Sequence, residues 1–424
     1  MSNNRSSAKK HEERRVVITG VGLVTPLGTG TKKSWEALLA GRSGAGPITR
    51  FDASRHATRI AAEVKDFNPL DFIDKKEVRR QDPFIQYALA AAQMAVEDAR
   101  IPPALLEGDR AGVYVGSGIG GIGTIEEWHK VLLERGPDRV SPTFLIATII
   151  NEAGGQISIR FKSKGPNSAA VTACASGTHS IGDAYRIIAR DEADVMLAGG
   201  AEAPITPLGV AGFCAMKAMT ERNDEPEKAS RPFDAKRDGF LIAEGAGILV
   251  LEELGTALRR GAPIYAEIVG YGMTGDAFHA AAPADDGAGA IRAMQRALED
   301  AGVPPDAVQH INAHGTSTQL NDKIETAAVK RVFGEHARRL ALNSTKSMTG
   351  HALGAAGGIE AGILALTIKH QIIPPTINHE YPDPECDLDC VPNAARRAEI
   401  VYALSNSFGF GGTNGALLLR RFDE

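Results

Sequence analysis

Hydrophobic and polar positions along the chain form short, nearly continuous apolar runs, separated by glycine, proline and stretches of helical period. From Arg15 the run RVVITG (15–20), ended by glycine, predicts a buried strand. TPLG (25–28) then breaks the chain, and an amphipathic helix is predicted around Trp35, Leu38 and Leu39. Further buried strands are predicted at 112–116, 195–198, 248–251 and 417–419, alternating with helical stretches. Apolar strands spaced by helices indicate sheets covered on both faces, hence an α/β protein with parallel-type sheets. The first 14 residues, MSNNRSSAKKHEER, are polar and predict a disordered tail rather than a secretory signal.

The pattern repeats once. AVEDARIPP (95–103) returns as ALEDAGVPP (297–305), each a helix end, a proline stop and a lead into a strand. FLIAEGAGILVL (240–251) is echoed, in the same order, by FGFGGTNGALLL (408–419). Two ordered echoes predict two copies of one α/β unit, 15–261 and 262–424, fused as a pseudo-dimer; a solenoid needs three or more repeats.

Composition narrows the function. The 47 Lys and Arg against 52 Asp and Glu give a net charge of −5, which argues against a globally basic nucleic-acid binder. No apolar run is long enough to span a membrane. Glycine supplies 46 of 424 residues, above the roughly 7% usual share, while aromatics are only 5%. Many close backbone approaches and a core of small and aliphatic side chains follow. Four cysteines do not make a disulfide framework, so a reducing, cytoplasmic compartment is expected. Cys386 and Cys390 flank acids in CDLDC without a second ligand pair, which makes a metal site improbable. Cys214, in GVAGFCAM, reads as a packed thiol.

Cys174, in VTACASG, differs. It precedes a helical pattern (Ile181, Ala184, Ile187, Ile188), and a helix N-terminus favours an anion, so a thiolate accessible near neutral pH is expected. An inert buried cysteine is the competing reading of that motif alone. His314 opens HGTST after the apolar residues 311–313, at a strand end where α/β folds place chemistry; a hydrogen-bonded structural histidine is the alternative. In NSTKSMTGH (343–351) Lys346 and His351 repeat the arrangement, and Glu360 lies nine residues further on. NSFGFGG (406–412) is a glycine-rich turn able to aim an N–H at a developing oxyanion.

Taken together, TACASG, AHGTST, STKSMTGH, NSFGFGGTNG, SRPFDAKRDGF (230–240) and PPTIN (374–378) resemble the elongating β-ketoacyl-[acyl-carrier-protein] synthases of type II fatty-acid synthesis, in the thiolase superfamily. The resemblance runs from about Val16 to Arg420. It implies a thiolase-like fold, duplicated α/β halves in a five-layer αβαβα sandwich, and a homodimer. It implies that Cys174 carries the acyl chain and that His314 and His351 stabilise the enolate released by malonyl decarboxylation. The N–H groups of Cys174 and Phe410 would form the oxyanion hole, and Lys346, paired with Glu360, would orient the histidine side. Thr316 and Thr318 would bind the phosphopantetheine arm, Phe408 and Phe410 would stand at the mouth of the acyl pocket, and Ile119 in GSGIGG would govern its depth. No resident cofactor or metal is implied, since substrates arrive on the phosphopantetheine of acyl-carrier protein.

Rival readings are weaker. A degradative thiolase needs a second active-site cysteine where this chain has NSFGFGG, and an initiating synthase would carry Asn in the role of His351. A chain-length-factor subunit would lack Cys174. A cysteine hydrolase needs neither two histidines nor this cysteine setting. A stand-alone polyketide ketosynthase shares the whole triad and stays open. An acidic carrier protein calls for a local basic patch. Lys75, Lys76, Arg79 and Arg80 in DKKEVRRQD, with Lys217, are candidates, against the alternative of a solvated helix face.

Overall fold

A computed structural model describes residues 14–423. The predicted tail therefore lies outside the described residues except for Arg14. That residue is tied down: its guanidinium pairs with Asp191 and Asp194 at 2.7 Å each, and its N–H donates to the Ala189 carbonyl at 3.1 Å.

Ten principal strands lie in one eleven-stranded sheet. The first half supplies β1 (Val16–Thr25), β2 (Ala111–Gly116), β3 (Asn167–Ser168), β4 (Val195–Glu202) and β5 (Gly245–Glu253). The second supplies β6 (Ala266–Gly275), β7 (His310–Asn312), β8 (Ala341–Asn343), β9 (Tyr402–Gly409) and β10 (Thr413–Arg420). Across the sheet the order is β8-β7-β9-β10-β6-β1-β5-β4-β2-β3, so each half repeats one order and the halves meet edge to edge. The seam is short and antiparallel, with Val16, Val17 and Ile18 opposite Ile268, Glu267 and Ala266.

The strands are not all parallel. β2 pairs parallel with β3 and β4, and β7 with β8 and β9, but β1, β5, β6 and β10 pair antiparallel. Helices cover both faces, so the antiparallel strands are as continuously apolar as parallel ones and the pattern alone does not separate them. One outer layer holds α1 (Pro83–Ala99) and α2 (Glu152–Phe161); the middle layer holds α3 (Ser176–Ala189) and α6 (Ala356–His370); the other outer layer holds α4 (Ala288–Ala301) and α5 (Gln319–Phe333).

The first sequence echo has a mechanical cause. α1 lies on β1 so closely that a Cβ on Gly20 would stand 2.2 Å from the Ala95 carbonyl oxygen, and one on Gly22 would stand 1.9 Å from that of Ala91. α4 lies on β6 in the same way, with 2.1 Å from Gly270 to Ala297 O and 2.0 Å from Gly272 to Ala293 O. Each strand carries a bulge there, at Thr19 and at Val269, and an aspartate from the helix end secures it. The Val21 N–H donates to Asp98 Oδ2 and the Tyr271 N–H to Asp300 Oδ2, both at 2.9 Å. The repeated Ala, Asp and Gly are thus the parts of one helix-on-bulge joint, built twice.

A methyl group at Gly22 or Gly272 has no room. Gly22→Ala and Gly272→Ala should each cost about 3 kcal/mol or more and lower Tm by roughly 3–4 °C in a calorimetric scan. Gly212→Ala, on a helix with nothing within 4 Å of the added carbon, should leave Tm unchanged or slightly raised.

Candidate active site

Cys174 sits in an elbow. After Thr172 the chain turns through Ala173, whose φ of 50° is costly for a residue with a Cβ, into a 3-10 turn (Ala173–Ala175) that leads directly into α3. The same elbow occurs before α6: Leu353 has φ 45° and begins the turn Leu353–Ala355. In the second elbow Gly354 stands where the first has Cys174. The two helices start against one another, since a Cβ on Gly177 would meet Gly358 N at 2.6 Å.

This approach brings the two halves' chemistry together. His351 follows Gly350 and is fixed by its backbone, its N–H on the Leu241 carbonyl at 2.8 Å and its carbonyl accepting from Ala243 N at 3.0 Å. Its Nε2 lies 3.1 Å from Cys174 Sγ. His314 follows β7 and meets the His351 ring edge-on, centroids 5.4 Å apart. The backbone N–H groups of Cys174 and Phe410 lie on the side of the sulfur where they favour its thiolate.

A cavity of about 410 Å³ opens over these groups. Cys174, His314, His351, Thr316, Thr318, Phe408, Phe410 and Lys217 all line it. Thr318 has a second task as the N-cap of α5, accepting from Asn321 N at 3.3 Å, and its hydroxyl is 3.1 Å from that of Thr316. Ile119 packs in the apolar cluster around Cys174 but does not line the open cavity. Lys346 and Glu360 do not line it either. They form a buried ion pair behind the histidines, the pairing that the resemblance implies, and Glu360 is set back from the cavity rather than among substrate-binding residues. Lys75, Lys76, Arg79 and Arg80 are exposed on and just after the short helix Lys75–Val78, outside the cavity lining, and Arg80 pairs with Glu77 at 3.2 Å.

Electrostatics correct one expectation. Burial pushes the Cys174 thiol up to about 12, more than the Lys346 charge and the two N–H groups pull it down. The resting nucleophile is therefore a thiol, and the elbow's dipole does not outweigh desolvation. His314 and His351 are both held well below the ordinary imidazole range, first by burial and then by the charge of Lys346. Two neutral imidazoles and a neutral thiol thus share a dry pocket. Burial likewise raises the Glu360 carboxyl, against the pull of Lys346. Cys386 and Cys390 are buried in the second half's core, their thiols raised to about 12 by desolvation, and Cys214 packs half-buried beside the cavity wall.

Sequence reasoning missed the acid that holds the His314 loop. Glu325, buried on α5, accepts from the N–H groups of His314 (2.9 Å) and Gly315 (2.8 Å) and from Asn406 Nδ2 (3.2 Å). A signal existed: Glu325 shares a helix face with Ile324, Ala328 and Val329, all buried, and an acid on an apolar face needs a partner. Phe213 and Phe240 also line the cavity, Phe240 edge-on to His351 with centroids 5.4 Å apart.

Comparison with known proteins matches this geometry. Residues 13–257 fit the family model of the beta-ketoacyl synthase N-terminal domain, and 265–380 that of the C-terminal domain. The chain belongs to the β-ketoacyl synthase family. It is 53% identical over 410 residues to the 3-oxoacyl-[acyl-carrier-protein] synthase 2 of Coxiella burnetii, covering 97% of this chain and 99% of that protein. The protein of the same name from Synechocystis is 51% identical over 411 residues, with the same coverage. Among solved structures, a β-ketoacyl synthase from Burkholderia phymatum superposes with TM-score 0.90 at 39% identity, covering 97% of this chain and all of that one. A ketosynthase of a type II polyketide system, solved in complex with its acyl-carrier protein and bound to the hexaketide, superposes with TM-score 0.90 at 36% identity and the same coverage. The thiolase-like α/β fold of this β-ketoacyl synthase thus has both halves in register with known members. No helix among the described residues is long and apolar enough to cross a membrane.

The buried Lys346–Glu360 pair gives a test of the synthase's interior electrostatics. Lys346→Met leaves a buried carboxylate without its partner and should cost about 3–5 kcal/mol in urea unfolding. Lys346→Met combined with Glu360→Leu should recover most of that stability. A single variant within 1 kcal/mol of the parent would mean that the pair is not ionised at neutral pH.

Proposed function

We propose that this synthase performs the decarboxylative Claisen condensation of acyl-[acyl-carrier-protein] with malonyl-[acyl-carrier-protein], yielding 3-oxoacyl-[acyl-carrier-protein], CO2 and free carrier protein in fatty-acid elongation. The observation that carries the reading is the 3.1 Å contact between Cys174 Sγ and His351 Nε2, with a second imidazole alongside and two N–H groups aimed at the sulfur.

The steps follow from that arrangement. Cys174 Sγ attacks the acyl thioester, and its S–H proton goes to the departing carrier sulfur as the new carbon–sulfur bond forms, so that His351 stays neutral with its proton on Nε2. The N–H groups of Cys174 and Phe410 receive the oxyanion, and the carrier's thiolate leaves and takes up the proton. Malonyl thioester then enters; its carbon–carbon bond breaks, CO2 departs, and the electron pair becomes an enolate. Neutral His314 and His351 donate to the enolate oxygen without adding a buried charge. The carbanion attacks the acyl carbonyl on Cys174, and collapse of the second oxyanion breaks the carbon–sulfur bond and returns the thiolate, which takes a proton from solvent water as the product leaves. Lys346, held by Glu360, acts through the histidines by keeping them uncharged.

Thr316 and Thr318 on the cavity wall suit the amides of a phosphopantetheine arm, with Phe408 and Phe410 at the mouth and Ile119 behind the sulfur. The acyl groups arrive tethered, so the reading needs no resident cofactor. Residues 15–261 bring the nucleophile and 262–424 both histidines, two halves of one catalytic unit. The partner is an acyl-carrier protein, met by Lys217 at the cavity and by the exposed Lys75, Lys76, Arg79 and Arg80, in the cytoplasm. A homodimer accounts for the exposed Leu133, Leu145, Ile146, Ile149 and Val171. A polyketide ketosynthase would use the same residues. Identities of 51–54% to the synthase 2 relatives, against 36–39% to the ketosynthases solved from polyketide-type systems, favour fatty-acid elongation.

The Cys174→Gln variant should still release CO2 from malonyl-carrier protein while forming no 3-oxoacyl product. His314→Ala and His351→Ala should each slow CO2 release by about 100-fold or more. Condensation by the Gln variant, or undiminished CO2 release by either Ala variant, would contradict the assignment.

A further inference from the structure

Glu202 is the last residue of β4, fully buried, and plays no part in the steps above. Its carboxylate accepts from five donors. Oε1 takes the Ser117 hydroxyl at 2.7 Å and the N–H groups of Ile119 and Gly120 at 3.0 and 3.3 Å; Oε2 takes the N–H groups of Gly118 at 2.6 Å and Gly354 at 2.9 Å. Three successive backbone N–H groups converging on one anion form a nest of the kind that binds phosphates and other anions. Here the anion is built in. The donors come from two places that matter: the GSGIGG loop that carries Ile119, and the elbow that starts two residues after His351.

The fit leaves no slack. A Cβ on Gly354 would stand 2.2 Å from Gly118 N and 2.6 Å from Glu202 Oε2, and one on Gly118 would stand 2.8 Å from Glu202 Oε2. Gly354 holds, in the second elbow, the place of Cys174 in the first. The carboxylate of Glu202 therefore occupies the donor-rich corner of the elbow that carries no nucleophile, and uses it to fasten the two loops together. Ile119 and Leu353, one from each fastened loop, both pack in the apolar cluster around Cys174.

We propose that Glu202 is a positioning residue that clamps the Ile119 loop to the elbow after His351, holding the apolar side chains packed around Cys174 and the histidine in one fixed relation and so setting which acyl chains the site accepts. The proposal rests on the acyl-condensing reading of the cavity. A second consequence is independent of substrate. Besides the His351 and His314 imidazoles and the two N–H groups, Cys174 faces two charges, Lys346, which favours its thiolate, and Glu202, which opposes it. Removing the Glu202 charge must ease ionisation of the thiol.

The experiment compares the full-length protein with its Glu202→Gln variant, which keeps the volume but turns one acceptor oxygen into a donor facing N–H groups. The first readout is kcat/KM for hexadecanoyl- against hexanoyl-carrier protein. The clamp predicts that the ratio shifts at least fivefold toward equal use. The second is the rate of Cys174 alkylation by iodoacetamide at pH 9, predicted to rise at least threefold. Should Glu202→Gln fail to fold, Ser117→Ala, which removes one donor and keeps the carboxylate, must shift the chain-length ratio in the same direction by a smaller factor. An equal fall in kcat/KM for both chains overturns the clamp, and an unchanged alkylation rate in a folded Gln variant overturns the action of the Glu202 charge on Cys174. If the parent protein forms no 3-oxoacyl product at all, the functional reading fails, and the alkylation rate still decides whether Glu202 acts on Cys174.

Discussion

The contact on which the site depends is backbone against backbone, where the two central helices begin. Gly177 lies against Gly358, and Gly200 against Gly354, at distances that admit no side chain. Only at that spacing can a cysteine from one half and a histidine from the other reach 3.1 Å. Widening the approach by one methyl group would separate nucleophile from imidazole, and neither half holds the full set of groups alone. The glycine surplus of the chain is thus tied to its chemistry. The small residues around Cys174 and after His351 set the distance between the two reacting partners.

Burial then fixes the protonation states. A thiol pushed up to about 12 and imidazoles held well below their ordinary range keep the resting pocket free of charge on its reactive groups. Charge appears only as bonds change, and there the N–H groups of Cys174 and Phe410 and the two imidazoles are already aimed. The ions that remain are held beside the cavity and are compensated. Lys346 has Glu360, Glu325 has the His314 loop, and Glu202 has its nest. Glu325 and Glu202 each hold a loop by its backbone, which places the reactive side chain without touching it.

Much of this was legible in the sequence. The duplication showed in AVEDA and ALEDA because the joint they build needs an alanine carbonyl against a strand glycine and an aspartate at the bulge. Cys174, His314, His351 and Phe410 showed because elbows and turns at strand ends carry glycine and small residues in a dense local pattern. What stayed hidden depended on distances between remote segments. Glu202 reads only as an acid at the end of an apolar strand until Gly354, 152 residues away, is seen to donate to it. The ionisation of Cys174 was misjudged for a similar reason: a helix start is local and visible, whereas desolvation is imposed by the whole fold around it.

The central claim is that the sulfur of Cys174 carries the acyl chain between two carrier proteins without releasing it to water. Intact-protein mass spectrometry tests it directly: mix the enzyme with hexadecanoyl-carrier protein, digest a portion, and then add malonyl-carrier protein to the remainder. The account predicts a single hexadecanoyl adduct on the Cys174 peptide, which disappears on malonyl addition as an equal amount of the 3-oxo chain, two carbons longer, is formed. An adduct on another residue, or loss of the adduct as free hexadecanoic acid, would contradict it.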